Sequence, residues 1–329
     1  MKLHVSAARP SAALLALAGG TATLALAGFA ASRVRTRAAE ARNPAPGRMI
    51  DAGGVRLHVM QQGSGPDVLL IHGALMQASE MMLALGDALQ GYRVTAIDRP
   101  GHGWSDRRRR PSVQDQAELF HEAVLELGLK SPVIVGHSLG GAVALAYGER
   151  YAGEISGVVA VAPLAFPAWG VAHIGRAIRG APVLGPALSN TTLALGDPYT
   201  VRAVLPLVFN PQKPTAAFKD AIDRDMLSRP HAMVADGADF IGAARDLQTL
   251  KGRYAAYPAP LHVVAGDKDR VLKPSRQAER LARAVPNARL TLRPGLGHMV
   301  HHFAPEAVAS AVADVRTRNL ADDAPALAA

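Results

Sequence analysis

Two patterns of apolar and polar residues alternate along the chain after residue 48. Short apolar runs are typical of buried strands, and longer stretches with a helical period lie between them. Alternating strands and helices predict a mostly parallel central sheet flanked by helices on both faces, preceded by a hairpin around Gly53 and Gly54. The predicted strands are 67–71, 93–97, 132–136, 156–162, 261–266 and 288–292, and the predicted helices are 79–90, 113–128, 139–151, 275–285 and 305–318.

The alternation stops near Pro163 and resumes at Pro260. The intervening segment is rich in proline, glycine and helical stretches and contains no clear strand. Because about ninety residues are too many for a plain loop, we expect a helical cap inserted over the carboxyl ends of the strands. The predicted organisation is an N-terminal segment of 1–48, a core of 49–163 and 260–319, a cap of 164–259 and a flexible tail of 320–329.

An uncharged apolar segment precedes the core. Residues 11–32 contain no charged side chain, and these 22 residues would span about 33 Å as a helix, which is enough to cross a bilayer. The segment therefore predicts a membrane anchor. Two alternatives stay open: a secretory signal peptide cleaved near the small residues Ala25 and Ala27, and a soluble extension.

Basic residues flank this segment on both sides. Four arginines follow it between residues 33 and 42, whereas only Lys2 and Arg9 precede it. The greater positive charge on the C-terminal side favours a cytoplasmic catalytic domain, while signal cleavage would give a periplasmic or secreted one. Residues 33–48 are rich in arginine, alanine and proline, which indicates a tether between the anchor and the folded domain.

Composition narrows the classes of function. The chain has 329 residues, no cysteine and a formal net charge of +9. Seven basic residues and one acidic residue lie within 1–48, so the remaining chain is only mildly basic and no nucleic-acid partner is expected. The absence of cysteine excludes thiolate catalysis and cysteine-ligated metals.

Histidines are the remaining candidates for metal ligands. His298, His301 and His302 form the densest group, but no metalloprotease pattern surrounds them. We therefore expect no metal and no cofactor. We expect His301 and His302 to line the mouth of a site or to lead into the last helix.

One motif carries the chemistry. Residues 136–140 read Gly-His-Ser-Leu-Gly after an apolar strand and before a helix, which is the context that a G-x-S-x-G nucleophile elbow requires. Glycines permit the sharp turn, and the helix N-terminus favours negative charge developing near Ser138. A serine hydroxyl also needs a base and an orienting carboxylate from later strands. The candidates are Asp267 or Asp269 and, further along, His298.

The chain resembles the α/β-hydrolase superfamily over roughly residues 49–318. The motifs that carry the resemblance are HGA at 72–74, DRPGHGWSD at 98–106, GHSLGG at 136–141, AGDKDRV at 265–271 and GLGHMV at 295–300. The resemblance implies the α/β-hydrolase fold, with Ser138 as nucleophile, Asp269 as acid and His298 as base. Asp269 is preferred to Asp267 because the family's acid usually lies three residues after this glycine.

The resemblance also implies an oxyanion hole formed by backbone amides. The amides are those of Leu139 and Ala74, with Leu75 as the alternative to Ala74.

A serine at the elbow restricts the chemistry. Haloalkane dehalogenases and epoxide hydrolases resemble this scaffold but use an aspartate there, so Ser138 argues against both. The expected function is hydrolysis of apolar carboxylic esters through an acyl-enzyme, as in a carboxylesterase or lipase-like enzyme. Two enzymatic alternatives use the same triad: a carbon-carbon bond hydrolase, and a cofactor-free perhydrolase or haloperoxidase. A third alternative is a non-catalytic protein that binds hydrophobic ligands.

Overall fold

Eight strands form a single sheet in this computed structural model, which describes residues 12–107, 112–168 and 174–322. Their order across the sheet is β1-β2-β4-β3-β5-β6-β7-β8. The first two pairings, β1 with β2 and β2 with β4, are antiparallel, and all the others are parallel. The strands are β1 (Arg48–Ala52), β2 (Val55–Gln62), β3 (Asp67–Ile71), β4 (Arg93–Ile97), β5 (Val133–His137), β6 (Gly157–Val161), β7 (Leu261–Gly266) and β8 (Ala288–Arg293).

The central strands are buried along their whole length because helices cover both faces of the sheet. Every residue of β3, β5 and β6 is buried. This explains why these strands appear in the sequence as continuous apolar runs rather than as alternating ones. The predicted mostly parallel sheet and the hairpin at its start are confirmed.

Two apolar cores lie on the two faces of the sheet. On one face, Met81 and Leu85 pack with Val308 and Val312. On the other, Phe120 and the apolar residues of the helix after β5 pack against the strands. The helices of the first face are α2 (Ala78–Leu85) and α12 (Pro305–Asp322), and those of the second are α3 (Val113–Glu126), α4 (Leu139–Arg150) and α11 (Ala278–Ala284).

The segment between β6 and β7 is helical where it is described. A third apolar cluster joins it to the sheet, because Leu205, Phe209 and Leu227 pack against Met76 and Met299, which lie in loops beside the strand ends. The elements are α5 (Ile174–Gly180), α6 (Leu184–Ser189), α7 (Asp197–Phe209), α8 (Ala216–Ala221), α9 (Arg224–Leu227) and α10 (Pro230–Leu250), with short 3₁₀ turns between them. We refer to these helices together as the cap.

The N-terminal helix α1 (Ala12–Arg42) continues through most of the predicted tether. Its last turns are docked on the cap, because Glu40 binds Arg229 at 2.9 Å and Arg42 binds Asp223 at 2.8 Å and Asp225 at 2.9 Å. The tether prediction is therefore wrong up to residue 42. The good helical propensity of the alanines and arginines, together with these ion pairs, accounts for the difference.

The predicted membrane anchor over residues 11–32 begins outside the described residues. Within the described part of the chain, no helix combines the length and the apolar run needed to cross a bilayer. At the other end, α12 extends to Asp322, three residues into the predicted tail, and residues 323–329 lie outside the description.

A buried carboxylate fixes the loop that follows β4. Asp98 accepts hydrogen bonds from the amides of Ala78 at 2.6 Å and Trp104 at 2.9 Å, and from Nδ1 of His58 at 2.8 Å. The other ring nitrogen of His58 contacts the carbonyl oxygen of Pro46. Because both partners of His58 only accept, both of its nitrogens carry hydrogens. Burial alone would lower the pKa of His58, but the hydrogen bond and charge of Asp98 outweigh it and raise that pKa above 6.5.

We predict that the stabilisation by His58 depends on pH. Below pH 6.5 the cationic ring is present in full, and replacing it in His58→Gln should lower the free energy of unfolding by about 1.5–3 kcal/mol. As pH rises through the raised pKa, the native ring loses its proton and the difference should shrink. Urea denaturation of both proteins across this range measures it. A difference that stays constant with pH would show that the ring is neutral in the native protein.

Candidate active site

Ser138 lies at a sharp turn between β5 and α4. Its φ of 54° and ψ of −115° are in a region that residues with a side chain rarely adopt. The turn is closed because the glycines on either side allow close backbone contacts. A Cβ on Gly136 would lie 2.2 Å from the carbonyl oxygen of Gly140, and one on Gly140 would lie 2.3 Å from that of Ile71. The strand-to-helix turn expected of a nucleophile elbow is therefore present.

The candidate base and acid form a direct pair at the ends of later strands. Nδ1 of His298 lies 2.7 Å from Oδ2 of Asp269, and both side chains are buried. The other oxygen of Asp269 accepts the amides of Val271 and Leu272, each at 2.8 Å. These bonds hold the carboxylate in place, so the orientation of the imidazole is fixed from the loop after β7.

The alternative acid has a different partner. Asp267 accepts the amide of Gly295 at 2.7 Å and lies 3.4 Å from the amine of Lys268. It is bonded across the two loops rather than to His298. The structure thus places Asp269, and not Asp267, against the imidazole.

The loop after β3 carries the two candidate oxyanion donors. Ala74 and Leu75 line the same cavity as Ser138 and His298. Leu75 has a positive φ of 58°, and its amide donates at 3.1 Å to Oδ1 of Asp236 in α10. Since the Leu75 amide already has this acceptor, Ala74 is the better candidate. Leu139, the other predicted donor, is the first residue of α4, where amides lack an intrahelical acceptor.

His72 holds the backbone at the start of this loop. Its Nε2 accepts the amide of Arg99 at 2.9 Å, so the hydrogen is on Nδ1, which donates to the carbonyl oxygen of Gly73 at 2.8 Å. Burial and the nearby charge of Arg99 lower the pKa of His72 to about 4. The ring is therefore neutral near neutral pH and joins the loops after β3 and β4.

A small apolar cavity opens beside Ser138. It encloses about 60 Å³, and its lining includes aliphatic side chains of α7, among them Val201, Leu205 and Val208. Arg176 also lines it and pairs through Nε with Asp236 at 3.1 Å. The same carboxylate therefore contacts both the cavity's guanidinium and the amide of Leu75.

A second buried polar group lies behind the candidate base. The ligating atoms of Glu80, His137 and His301 lie within 4.8 Å of one another, so these residues could hold a metal. Oε1 of Glu80 accepts from Nε2 of both His301 and His302, each at 2.7 Å. The two histidines do precede α12, as expected, but they are buried rather than at the mouth of the site.

Sequence reasoning did not find Asp236, Arg176 or Glu80. The first two lie in the cap, far along the chain from the loop that they contact, and no local pattern links them to it. The consecutive histidines 301 and 302 were the one sequence signal for a buried hydrogen-bond partner. That this partner is Glu80 depends on how α2 packs, which the spacing of residues does not reveal.

Comparison with known proteins identifies the family of the fold. A family profile described as alpha/beta hydrolase fold matches residues 66–305, which is most of the chain and includes all the candidate site residues.

Relatives in that family carry different activities in their names. A monoacylglycerol lipase of Mycolicibacterium smegmatis is 31% identical over 255 residues, covering 71% of this chain and 81% of the relative. Haloalkane dehalogenase 2 of Mycobacterium tuberculosis is 25% identical over 284 residues, covering 82% and 94%. The solved enol-lactonase of Burkholderia xenovorans LB400 superposes with a TM-score of 0.66 at 21% identity, covering 82% of this chain and all of that one. The last likeness shows the fold alone.

The close packing of the elbow generates a stability prediction. In Gly140→Ala the new methyl group would collide with the carbonyl oxygens of Ile71 and His72, so the turn must shift. We expect the free energy of unfolding to fall by about 1–3 kcal/mol, and occasionally more for such overpacking. The matched control is Gly153→Ala, where no heavy atom lies within 4 Å of the added Cβ. Equal stability of the two variants, measured by urea denaturation, would contradict the packing described for the elbow.

Proposed function

Since the chain belongs to the α/β-hydrolase fold family, we propose that it is a serine hydrolase that cleaves carboxylic esters, with Ser138, Asp269 and His298 as its triad. One observation carries the proposal. His298, whose Nδ1 lies 2.7 Å from the buried carboxylate of Asp269, lines the same cavity as a serine held at a strained turn. An elbow serine in that setting has a base, an orienting carboxylate and a space for the substrate.

In this proposal, each member of the triad has one role. Nε2 of His298 takes the hydroxyl proton of Ser138 as its oxygen attacks the carbonyl carbon of the ester. Asp269 keeps the hydrogen on Nδ1 and stabilises the imidazolium that forms. His298 then passes the proton to the leaving alcohol, and a water activated by the same base releases the acyl group from Ser138.

In this proposal, two backbone amides bind the charge on the tetrahedral intermediate. The amide of Leu139 is at the N-terminus of α4, and that of Ala74 is in the loop which His72 and Asp236 fix from both sides. Donors fixed before the reaction begins need no reorganisation when the oxyanion forms, and this is the main source of their effect.

The substrate is an ester with an apolar acyl group. The aliphatic side chains of α7 beside Ser138 support this, because they offer few partners to a polar acyl chain. The monoacylglycerol lipase of M. smegmatis is a relative whose named activity fits the same class. Haloalkane dehalogenase chemistry is disfavoured by a serine at the elbow.

The location of the enzyme stays a prediction from the N-terminal sequence. The predictions are attachment to a membrane with a cytoplasmic catalytic domain and, as the alternative, a secreted enzyme.

The role of Ser138 is tested by covalent labelling. Wild-type protein should react with a fluorophosphonate probe and hydrolyse p-nitrophenyl esters, whereas Ser138→Ala should lose the label and at least about 10³-fold in kcat. Ser156→Ala is the control, because Ser156 bonds a carbonyl oxygen at the opposite end of β6. Equal labelling of Ser138→Ala would refute the nucleophile. Labelling without ester turnover would shift the proposal to the carbon-carbon or perhydrolase alternatives.

The size of the cavity generates a prediction about chain length. A cavity of about 60 Å³ is well below the roughly 300 Å³ at which ligand pockets begin, so a long acyl chain requires α7 to move or to lose bulk. In Leu205→Ala the ratio of kcat/KM for p-nitrophenyl octanoate to that for the butyrate should rise by at least about 10-fold. Leu207→Ala, an exposed leucine of the same helix, should leave the ratio unchanged. A ratio unchanged in both variants would place the acyl group elsewhere.

A further inference from the structure

A carboxylate with no solvent-exposed surface lies close to the turn that follows the candidate base. Glu80 is fully buried in the first turn of α2. Its Oε1 accepts two hydrogen bonds of 2.7 Å, one from Nε2 of His301 and one from Nε2 of His302. Because a carboxylate only accepts, both imidazoles must carry a hydrogen on Nε2. The three side chains therefore form a clamp in which one oxygen holds two consecutive residues of the chain.

Burying a carboxylate in such a clamp is unfavourable in free energy. Removing a carboxylate from water costs several kcal/mol unless its hydrogen bonds compensate, and Oε2 of Glu80 has no partner among the described residues. Burial alone would raise the pKa of Glu80, but the charge and hydrogen bonds of His301 and His302 outweigh it and hold that pKa well below the ordinary value. An apolar residue at this position would leave the Nε2 hydrogens of His301 and His302 without their acceptor, so the carboxylate and the two imidazoles depend on one another.

The clamp lies next to the loop that carries His298. His301 and His302 belong to a 3₁₀ turn that begins two residues after His298. From the other side, Nε2 of His137 donates at 3.2 Å to the carbonyl oxygen of His298. The ring of His137 lies between those of His298 and His301, at centroid distances of 4.8 and 4.2 Å. The backbone of the base is thus bonded from β5, and the turn after it is bonded from α2.

We propose that Glu80 is a positioning residue, which sets the imidazole of His298 for proton transfer by clamping His301 and His302. This inference rests on the proposed function, because it assigns Glu80 a role through the base named there. The helix that carries Glu80 begins four residues after Ala74, so the clamp also joins the candidate oxyanion loop to the base loop. A shift of either loop would move the base and the oxyanion donor together.

The experiment compares three variants in steady-state ester hydrolysis. In Glu80→Ala both hydrogen bonds are lost, and kcat should fall by about 10- to 100-fold with KM nearly unchanged, because displacing a reacting group by an ångström can cost roughly 100-fold. Glu80→Gln keeps an accepting Oε1 in the same place and should recover most of that loss. The rate of inactivation by a fluorophosphonate should follow kcat through the series.

A matched control separates positioning from stability. Asp246 is another buried carboxylate, which accepts the amide of Val113 at the start of α3 and does not line the cavity. Asp246→Ala should lower the free energy of unfolding while leaving kcat of the folded protein unchanged. If Glu80→Ala is folded and keeps its kcat, or if Asp246→Ala loses kcat to the same extent, the positioning role is refuted.

A measurement on wild-type protein does not depend on any variant folding. The imidazole ¹⁵N resonances of His301 and His302 should report hydrogens on Nε2 in both rings. A ring without a hydrogen on Nε2 would overturn the clamp, and so would one equivalent of tightly bound metal in the purified protein that chelation removes. The two proposals fail separately: a wild-type protein without Ser138-dependent labelling refutes the hydrolase, whereas an active enzyme indifferent to Glu80→Ala refutes only the clamp.

Discussion

The site depends on one backbone constraint, the positive φ of Ser138 between a strand and a helix. Such a conformation costs about 1–3 kcal/mol and persists only where the surroundings hold it. Here the amide of Ser138 donates to the carbonyl oxygen of Val161 at 2.9 Å, and its carbonyl oxygen accepts the amide of Leu164, also at 2.9 Å. The turn is thereby tied to β6 and to the segment that enters the cap. Because of this turn, Ser138 and the N-terminus of α4 lie next to each other at the end of β5. One strained residue therefore provides the candidate nucleophile and sets the position of one candidate oxyanion donor.

Buried carboxylates hold the loops around that turn. Asp98 fixes the loop after β4, Asp269 orients His298 at the end of β7, and Asp236 reaches from the cap to the amide of Leu75. Each lies where irregular backbone is taken out of water and its amides need acceptors. An apolar residue in any of these places would leave a buried donor unpaired, which costs about 1–3 kcal/mol. The arrangement of the site is therefore maintained by polar bonds between loops, and the apolar cores on the two faces of the sheet only bring the strand ends together.

The parts of the fold set by local sequence were predictable, and those set by distant contacts were not. Strands such as 67–71 and 93–97 have the predicted bounds because a mostly apolar run between turn residues is typical of a buried strand. The elbow and the placement of Asp269 beside His298 followed from motifs, although the role of each residue there stays a prediction. The tether up to Arg42 was wrong because its helix is stabilised by ion pairs with charged residues of the cap, Asp223 and Arg229, which lie 181 and 189 positions from their partners. The roles of Asp236 and Glu80 were not predicted for the same reason, because the residues that they bind are distant in the sequence.

The cap is coupled to the chemistry through α10. Asp236 of this helix binds the amide of Leu75 and the guanidinium of Arg176, and Asp239, one turn later, binds the fully buried Arg99 at 2.6 Å. Arg99 in turn donates its amide to His72, which fixes the start of the same loop. A movement of α10 that displaces Asp236 must therefore break or stretch its bond to the loop that carries Ala74. Movement of α7 alone involves no such bond, because Leu205 and Val208 contribute only apolar contacts to the cavity. If α7 moves aside to admit a long acyl chain, the hydrogen bonds of the candidate oxyanion loop can stay intact. If α10 moves instead, they cannot.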